Sequence, residues 1–389
     1  MEKIVNILFA LLRFELSGEE LSNDIKNSVS AEIFPSLFQF AKKHDLAHLV
    51  GDALERNDLL ADGTEDKKRF LQERNMAIFR YEQKRYEYGQ ICATLEKAKI
   101  PFIPLKGAVI QDFYPQAWMR TSCDIDILVE ENNLNAAIDV LKKELDYSCD
   151  FIGGHDAQIF APNGVHLELH YTLLDGETTP QQKTAFEKVW QYDETNERFQ
   201  RSMSNEHFYG YFLLHTAKHV KAGGCGVRPF LDVWLMQRRG EFTGEQVQAF
   251  LTETGLLAFA KAVKSLSNVW FSGTPATEFD QELADYVLSG GVYGTMQNRV
   301  VVQTNRKKGK FRFILSRIFL PYSELKIKYP RLKKCPVLFP FYQVKRWFNL
   351  LKKDRREQSV REWKATINGD EETQRRIAKL LDNLDLQKQ

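Results

Sequence analysis

The N-terminal quarter of the chain carries apolar side chains at helical spacing. In the clearest run, Asp66 to Lys99, apolar residues from Phe70 to Leu95 recur roughly at helical spacing, and arginine and lysine fill the other face. Pro101 ends this run, because a proline disfavours the helical conformation in the residue before it. The pattern therefore predicts an N-terminal helical region over residues 1–99.

Residues 100–178 show a different pattern, in which short apolar or alternating runs are separated by turns and helical segments. One of these runs alternates and then becomes apolar, as a largely buried strand does. The predicted elements are, in chain order, strand Ile100–Leu105, helix Ala108–Tyr114, strand Asp124–Val129, helix Asn132–Leu145, strand Gln158–Phe160 and strand Val165–His170. This order predicts a small α/β or α+β sheet domain.

Helical patterns return over residues 179–300, most clearly in Phe208–Val220 and Pro229–Arg238. Residues 301–389 form a basic and aromatic C-terminal tail, in which the pattern predicts one helix from Gln343 to Lys353. We therefore expect four regions, with boundaries near residues 99, 178 and 300.

Composition narrows the class of protein. The 389 residues suffice for two or three domains, and 43% hydrophobic and 27% charged residues exclude wholesale disorder. The five cysteines include no C-x-x-C pair, which favours a reducing compartment over a disulfide framework or a zinc site. No apolar run approaches the roughly 18 residues of a membrane-spanning helix. The apolar start from Ile4 to Leu12 predicts an amphipathic helix rather than a signal peptide, so we expect a cytoplasmic protein.

The net charge of +2 conceals a strong asymmetry. Residues 301–360 contain 17 lysines and arginines and three acids, a net charge of +14, so the rest of the chain carries −12. The basic residues within 306–356 have three interpretations: a solvated or intramolecular surface, peripheral contact with an anionic membrane such as the inner membrane surface, or contact with nucleic acid. The sequence contains no signature of a groove-reading or RNA-binding module, so we do not expect sequence-specific nucleic-acid binding.

Two aspartates lie two positions apart in one predicted strand. Asp124 and Asp126 share a face of that strand, about 7 Å apart at the backbone, while Ile125 and Ile127 face the core. Glu168 faces the same way in a second alternating strand. Three carboxylates on neighbouring strands suit Mg²⁺, with Mn²⁺ as an alternative, and two such ions would clamp both oxygens of a phosphoryl transfer. The other interpretation is a set of solvated acids on an exposed sheet face.

A candidate phosphate-binding segment precedes the aspartates. Gly107 lies where a predicted strand passes into a helix, and a glycine there lets the backbone approach a phosphate near a helix N-terminus. Lys106 adds a positive charge, and Arg120 has the geometry to bind phosphate oxygens through two parallel hydrogen bonds. The alternatives are an ordinary turn at residues 106–107 and a plain surface arginine.

Several further residues are candidates for contacts with phosphate or with an acceptor. They are His170, His215, Lys218, His219 and Arg228. For His170, packing or hydrogen bonding to the acids is the alternative, since imidazole suits zinc better than magnesium. His215 and His219 have metal-ligand spacing but lack the glutamate of an H-E-x-x-H motif, which argues against zinc-protease chemistry. For Arg228 the alternative is an ion pair with Asp232, four positions away.

These motifs together resemble the bacterial "nucleotidyltransferase family protein" group, a divergent branch of the DNA polymerase beta-like nucleotidyltransferase superfamily. The resemblance covers about residues 90–240 and is carried by Pro104–Gly107, Met119–Arg120, Asp124–Val129 and His166–His170. It implies an α+β fold, with a minimal nucleotidyltransferase mixed sheet flanked by N-terminal and C-terminal helical regions.

The resemblance also implies residue roles. In the superfamily the D-x-D pair and a third acid bind the metals, and Asp124, Asp126 and Glu168 match those positions. The Gly-Ser or Gly-Gly of the superfamily's first motif is replaced here by Lys106 and Gly107, followed by Ala108, a departure in the segment expected to bind the triphosphate.

The expected function is Mg²⁺-dependent transfer of a nucleoside monophosphate from a nucleoside triphosphate such as ATP, with release of pyrophosphate. The acceptor is an unidentified hydroxyl, phosphate or amine, and we expect the helical region over residues 179–300 to select it. The alternative is a catalytically silent protein of the same fold that binds or regulates a partner, in the manner of an antitoxin.

Overall fold

The computed structural model describes residues 2–174, 178–191, 198–292, 294, 298, 302, 318–329, 331–350 and 371–386. Residues 306–317 and 351–356 of the basic stretch, and the end of the helix predicted over Gln343–Lys353, lie outside these described residues. The chain divides into two compact units. The first unit comprises Met1–Thr216, Val227–Gln281 and Lys388–Gln389, and the second comprises Ala217–Gly226 and Glu282–Gln387.

Helices dominate the N-terminal part of the first unit, as the apolar spacing predicts. They are α1 (Glu2–Ser17), α2 (Asn23–Ser28), α3 (Phe34–Lys43), α4 (Ala47–Arg56) and α5 (Glu65–Lys97). Helix α5 starts where the Thr64 hydroxyl accepts a hydrogen bond from the Lys67 amide, which satisfies one of the amides that a helix N-terminus leaves without a partner. Its apolar stripe buries Phe70, Ile91 and Leu95, so the helix predicted over residues 66–99 is confirmed.

A five-stranded mixed sheet follows. Its strands are β1 (Phe102–Pro104), β2 (Asp124–Val129), β3 (Ser148–Ile152), β4 (Asp156–Phe160) and β5 (His166–His170), in the spatial order β1-β2-β5-β4-β3. Only β2 and β5 are parallel; the other neighbours are antiparallel. Four of the strands coincide with predicted ones, whereas the edge strand β3 was missed because its mostly exposed residues give no burial pattern.

Apolar side chains cover both faces of this sheet. Ile125, Ile127, Leu167 and Leu169 are buried in one core with residues of α5 and of the following helix α7 (Leu134–Leu145), as the alternation predicts. On the opposite face, Leu128 belongs to a second core with side chains from downstream helices. Because alternate residues of a strand share a face, Asp124 and Asp126 lie on the Leu128 face of β2.

Of the remaining helices of the described chain, one lies between β1 and β2 in sequence and the others follow β5. They are α6 (Gly107–Ile110), α8 (Pro180–Glu187), α9 (Asn205–Lys221), α10 (Arg228–Arg238), α11 (Glu245–Glu253), α12 (Leu257–Ser272), α13 (Glu278–Gly290), α14 (Tyr322–Lys328), α15 (Arg331–Lys334), α16 (Phe339–Leu350) and α17 (Glu371–Asn383). The fold is therefore α+β, a small mixed sheet flanked by helical regions, as expected. No helix among the described residues combines the length and the apolar character needed to span a bilayer.

Candidate functional site

The parallel pairing of β2 and β5 brings the expected acids together. Asp126 is the register partner of Glu168, and Leu128 is the partner of His170. One ligand atom from each of Asp126, Glu168 and His170 lies within 4.8 Å of the others. Asp126 and His170 are each only 3% exposed, so the interpretation as solvated acids on an open sheet face is wrong for Asp126.

Asp126 is held by two donors at one carboxylate oxygen. Lys106 Nζ lies 2.8 Å from Asp126 Oδ1, and His170 Nε2 lies 3.0 Å from the same atom. Burial by itself would raise the pKa of Asp126, but Lys106 and His170 together hold this pKa well below its ordinary value. Asp126 is therefore a buried, ionised carboxylate. His170 makes a hydrogen bond with it, which agrees with the alternative interpretation of His170 as a hydrogen-bond partner of the acids rather than a phosphate contact.

Lys106 reaches this position through an uncommon backbone conformation. Its φ angle is +37°, in the region that residues with a Cβ rarely adopt. Such conformations persist only where the surrounding structure enforces them, and they concentrate at functional sites. With this backbone conformation, the ammonium group of Lys106 lies on Asp126 and 5.9 Å from the centre of the Tyr211 ring.

The carboxylate oxygens that remain are suited to a divalent cation. The side-chain carboxylate of Asp124, Oδ2 of Asp126 and Oε1 of Glu168 accept no hydrogen bond from any described residue. Burial, with repulsion from Asp126 and Glu168, raises the pKa of Asp124 above its ordinary value. Asp126 and Glu168 are the two carboxylates that converge with His170, whereas Asp124 lies outside that group, although both acids act on its pKa. Carboxylate oxygens are the hard donors that Mg²⁺ prefers, so the residues fit this ion.

The segment expected to bind phosphate differs from expectation in two ways. Helix α6 begins at Gly107 but has only four residues before a 3₁₀ turn over Gln111–Phe113, so it provides little of the helix dipole expected there. Gly107 itself lies in a tight position, because a Cβ there would be 2.9 Å from Nη1 of Arg120.

Arg120 is buried and ion-paired, which corrects its interpretation as an arginine with a free bidentate edge. Its Nε donates to Oδ1 of Asp232 and its Nη2 to Oδ2, each at 3.0 Å. Tyr114 donates a further hydrogen bond to Oδ1 at 2.7 Å. The edge of the guanidinium group that would grip a phosphate is thus occupied by Asp232, and only Nη1 points toward Gly107.

The ion pair considered for Arg228 is also corrected. Asp232 pairs with Arg120, while Arg228 Nη1 lies 2.8 Å from Asp45 Oδ2 and donates to the Thr121 carbonyl at 2.9 Å. Spacing of four along a helix made the first pairing reasonable, but the partner of each charge comes from a distant part of the sequence. Arg228 thereby holds the loop that leads from Arg120 toward β2.

Three of the candidate residues, two histidines and a lysine, lie on α9. His215 is half-buried, with its ring 6.4 Å from that of Tyr211, which belongs to the core on the site's face of the sheet. Lys218 is exposed and His219 half-buried, and both belong to the second unit. Their contacts with an acceptor stay predictions.

The structure adds one residue that the sequence did not single out. Lys84 of α5 donates to the carbonyl of Ser122 at 2.7 Å and to its hydroxyl at 2.6 Å, and that hydroxyl donates to the Asp124 carbonyl. Burial lowers the pKa of Lys84 to about 8, although Asp124 opposes this shift. A lysine in a helix full of lysines and arginines carries no distinguishing signal, so only the fold reveals it.

Comparison with known proteins agrees with this geometry. The model of the family described as "Uncharacterised nucleotidyltransferase" matches residues 31–272, more than half of the chain, and this range includes the whole sheet and every charged residue of the site. Searches of the curated proteins and of the solved structures found no match. The chain therefore belongs to this family of uncharacterised nucleotidyltransferases.

Proposed function

We propose that the protein is a Mg²⁺-dependent nucleotidyltransferase whose metal and triphosphate are held by Asp124, Asp126 and Glu168. The observation that carries the proposal is the convergence of Asp126 on β2 with Glu168 and His170 on β5, in a chain of a family described as uncharacterised nucleotidyltransferases. The carboxylates of Asp126 and Glu168 repel that of Asp124 and contribute to its raised pKa, and a divalent cation would relieve that repulsion. Mn²⁺ offers the same oxygen preference and is the alternative ion.

The reaction would form one bond and break one. An acceptor oxygen or nitrogen attacks the α-phosphorus of the triphosphate, the bond from that phosphorus to the bridging oxygen breaks, and pyrophosphate leaves. Bound metal would supply charge neutralisation on the phosphate oxygens. Glu168 is our candidate to receive the proton of the acceptor, and the rest of the catalysis would come from positioning and electrostatics.

Lys106 would serve both the acid and the nucleotide. An ammonium group has three donors, and one is used at Asp126 Oδ1. The other two donors are our candidates for the triphosphate, together with the backbone at Gly107 and Nη1 of Arg120. This role replaces the bidentate grip by Arg120, which was one of the two interpretations of that residue.

Lys84 would act as a positioning residue. Its two hydrogen bonds to Ser122 fix the loop between Arg120 and β2, and that loop sets where Asp124 emerges. Supporting contacts of this kind orient ligands, and their loss typically costs about 10–100-fold in metal affinity or activity.

A screen of the four α-labelled nucleotides against cell extract tests the proposal. We expect label transfer from ATP or another nucleotide in the presence of Mg²⁺, lost in Asp124→Asn and kept in Asp150→Asn, which changes an exposed acid of β3. Asp124 is preferred to Asp126 here, since an uncharged residue at 126 would leave Lys106 buried without its partner. Unchanged transfer in Asp124→Asn would overturn the assignment.

One feature favours a second candidate function. Two cationic or donor groups already occupy Asp126 Oδ1, which is the arrangement expected of a silent, antitoxin-like protein that retains the fold without a working metal site. Nucleotide binding without transfer of label in the same screen would support this alternative.

We also infer a cytoplasmic location, in keeping with five cysteines that all lie within the described chain and form no disulfide.

A further inference from the structure

Helix α16 in the second unit directs an apolar face outward. Phe341 is 61% exposed, Val344 42% and Phe348 69%, and Val337, in the turn before the helix, is 85% exposed. These positions are separated by four, three and four residues, so they follow one side of a helix. A soluble helix normally turns such a stripe toward its core.

The opposite face of α16 is occupied and cannot accept the stripe. Tyr342 packs in a small core with Leu325 and Leu332. Gln343 donates to the Leu320 carbonyl and Arg346 to the Ile318 carbonyl, and both side chains are buried. The anchored face thus carries polar groups with specific partners, and rotating the helix would break them.

The segment that carries this stripe is basic in sequence. The described residues from 318 to 350 include seven lysines and arginines and one acid, Glu324. Lys345 is exposed on the stripe's own side of α16, with its ammonium group 5.8 Å from the ring of Tyr342. Aromatic and aliphatic side chains beside lysines are typical of helices that lie in a lipid interface, where apolar groups enter the acyl boundary and cations meet anionic headgroups.

We propose that this outward face docks on an anionic lipid surface. The face is formed by Val337, in the turn before α16, and by Phe341, Val344, Lys345 and Phe348 of α16. The charge of this segment complements such a surface, and its phenylalanines supply the apolar area. With so few inserted side chains the contact is peripheral and reversible. The proposal concerns a surface of the second unit and does not depend on nucleotide transfer.

Sedimentation of the full-length chain with vesicles tests this proposal. Vesicles of phosphatidylcholine with added phosphatidylglycerol are compared with vesicles of phosphatidylcholine alone. We expect binding to the anionic vesicles, weakened by salt, and a loss of at least about tenfold in the double variant Phe341→Ser/Phe348→Ser, since each lost phenylalanine removes apolar contact. Lys345→Glu should weaken binding to anionic vesicles only.

A matched control comes from another helix. Phe79 and Tyr86 of α5 are 60% and 65% exposed, so the double variant Phe79→Ser/Tyr86→Ser loses similar aromatic surface and should bind vesicles as the wild type does. Circular dichroism checks that both double variants are folded. The proposal would be overturned if the wild type did not bind vesicles, or if both double variants lost binding equally. It would also be overturned if the wild type self-associated without binding vesicles and Phe341→Ser/Phe348→Ser abolished that self-association.

Discussion

Two charged clusters of the first unit differ in how completely their groups are paired. In the buried cluster of Tyr114, Arg120 and Asp232, both carboxylate oxygens receive donors and the charges cancel. In the carboxylate site of Asp124, Asp126 and Glu168, several oxygens receive none from the described residues, and repulsion among the acids contributes to a raised pKa of Asp124. The first arrangement is that of a structural contact, and the second is the one that we propose as a cation site.

This difference predicts opposite effects of similar substitutions, and the largest is the loss of transfer in Asp124→Asn. Removing one carboxylate should reduce transfer by at least about 10³-fold, the upper range for loss of one preorganised electrostatic group. Stability should stay equal or rise, because the substitution removes a charge that its neighbours disfavour. Radiolabel transfer and thermal unfolding measure the two effects, with Asp150→Asn as the control. A large fall in stability would place Asp124 with the structural cluster.

Asp232→Asn should show the reverse. It leaves the buried Arg120 guanidinium without a counter-charge, and removing one partner of such a pair costs about 3–5 kcal/mol. Denaturant unfolding measures the change, and Asp139→Asn, at an exposed position of α7, serves as the control. Wild-type stability in Asp232→Asn would show that the cluster does not stabilise the fold.

Lys84→Met tests a connection to the carboxylate site through the loop. The hydrogen bonds of Lys84 go to Ser122, so Lys84 acts on the site only by fixing the loop before Asp124. We therefore expect transfer to fall about 10–100-fold, with the maximal rate reduced more than the affinity for nucleotide. Lys97→Met changes a lysine of the same helix whose side chain is 82% exposed, and it should leave transfer unchanged. Equal transfer by Lys84→Met and Lys97→Met would remove Lys84 from the site.

Gly107→Ala should give the smallest effect. The added Cβ would lie 2.9 Å from Arg120 Nη1, and the pairing of Arg120 with Asp232 prevents this side chain from moving aside freely. Overpacking of this kind costs about 1–3 kcal/mol, and we expect a severalfold higher KM for the triphosphate. Gly89→Ala on α5, where an added Cβ meets nothing within 4 Å, is the control. An unchanged KM would mean that the triphosphate does not use this segment.

Much of the fold and part of the site could be predicted from the sequence. Local patterns identified β2, β5 and α5, and their alternation correctly directed Ile125 and Leu167 to the core. The partners of charged side chains could not be predicted in this way. Arg120 finds Asp232 at a separation of 112 residues, and Lys84 finds Ser122 at a separation of 38, so these pairings depend on tertiary packing and leave no local periodicity.

The motifs predicted a nucleotidyltransferase family, and the family match confirms this prediction. The sequence also correctly predicted that Asp124 and Asp126 lie on a strand next to that of Glu168. The pairing of Lys106 with Asp126 could not be predicted locally, because a lysine beside a glycine suggests phosphate binding and the pair joins residues 20 positions apart. The edge strand β3 was missed for a related reason, since exposed residues carry little pattern.

The most direct test of the carboxylate site requires no acceptor. Calorimetric titration measures Mg²⁺ binding to the full-length chain in the presence of each nucleoside triphosphate, for the wild type, Asp124→Asn and Asp150→Asn. We predict metal-dependent nucleotide binding by the wild type and Asp150→Asn, weakened at least about 100-fold in Asp124→Asn. Equal binding by wild type and Asp124→Asn, or no binding by the wild type at millimolar Mg²⁺ and nucleotide, would contradict the assignment of Asp124, Asp126 and Glu168 as the metal and nucleotide site.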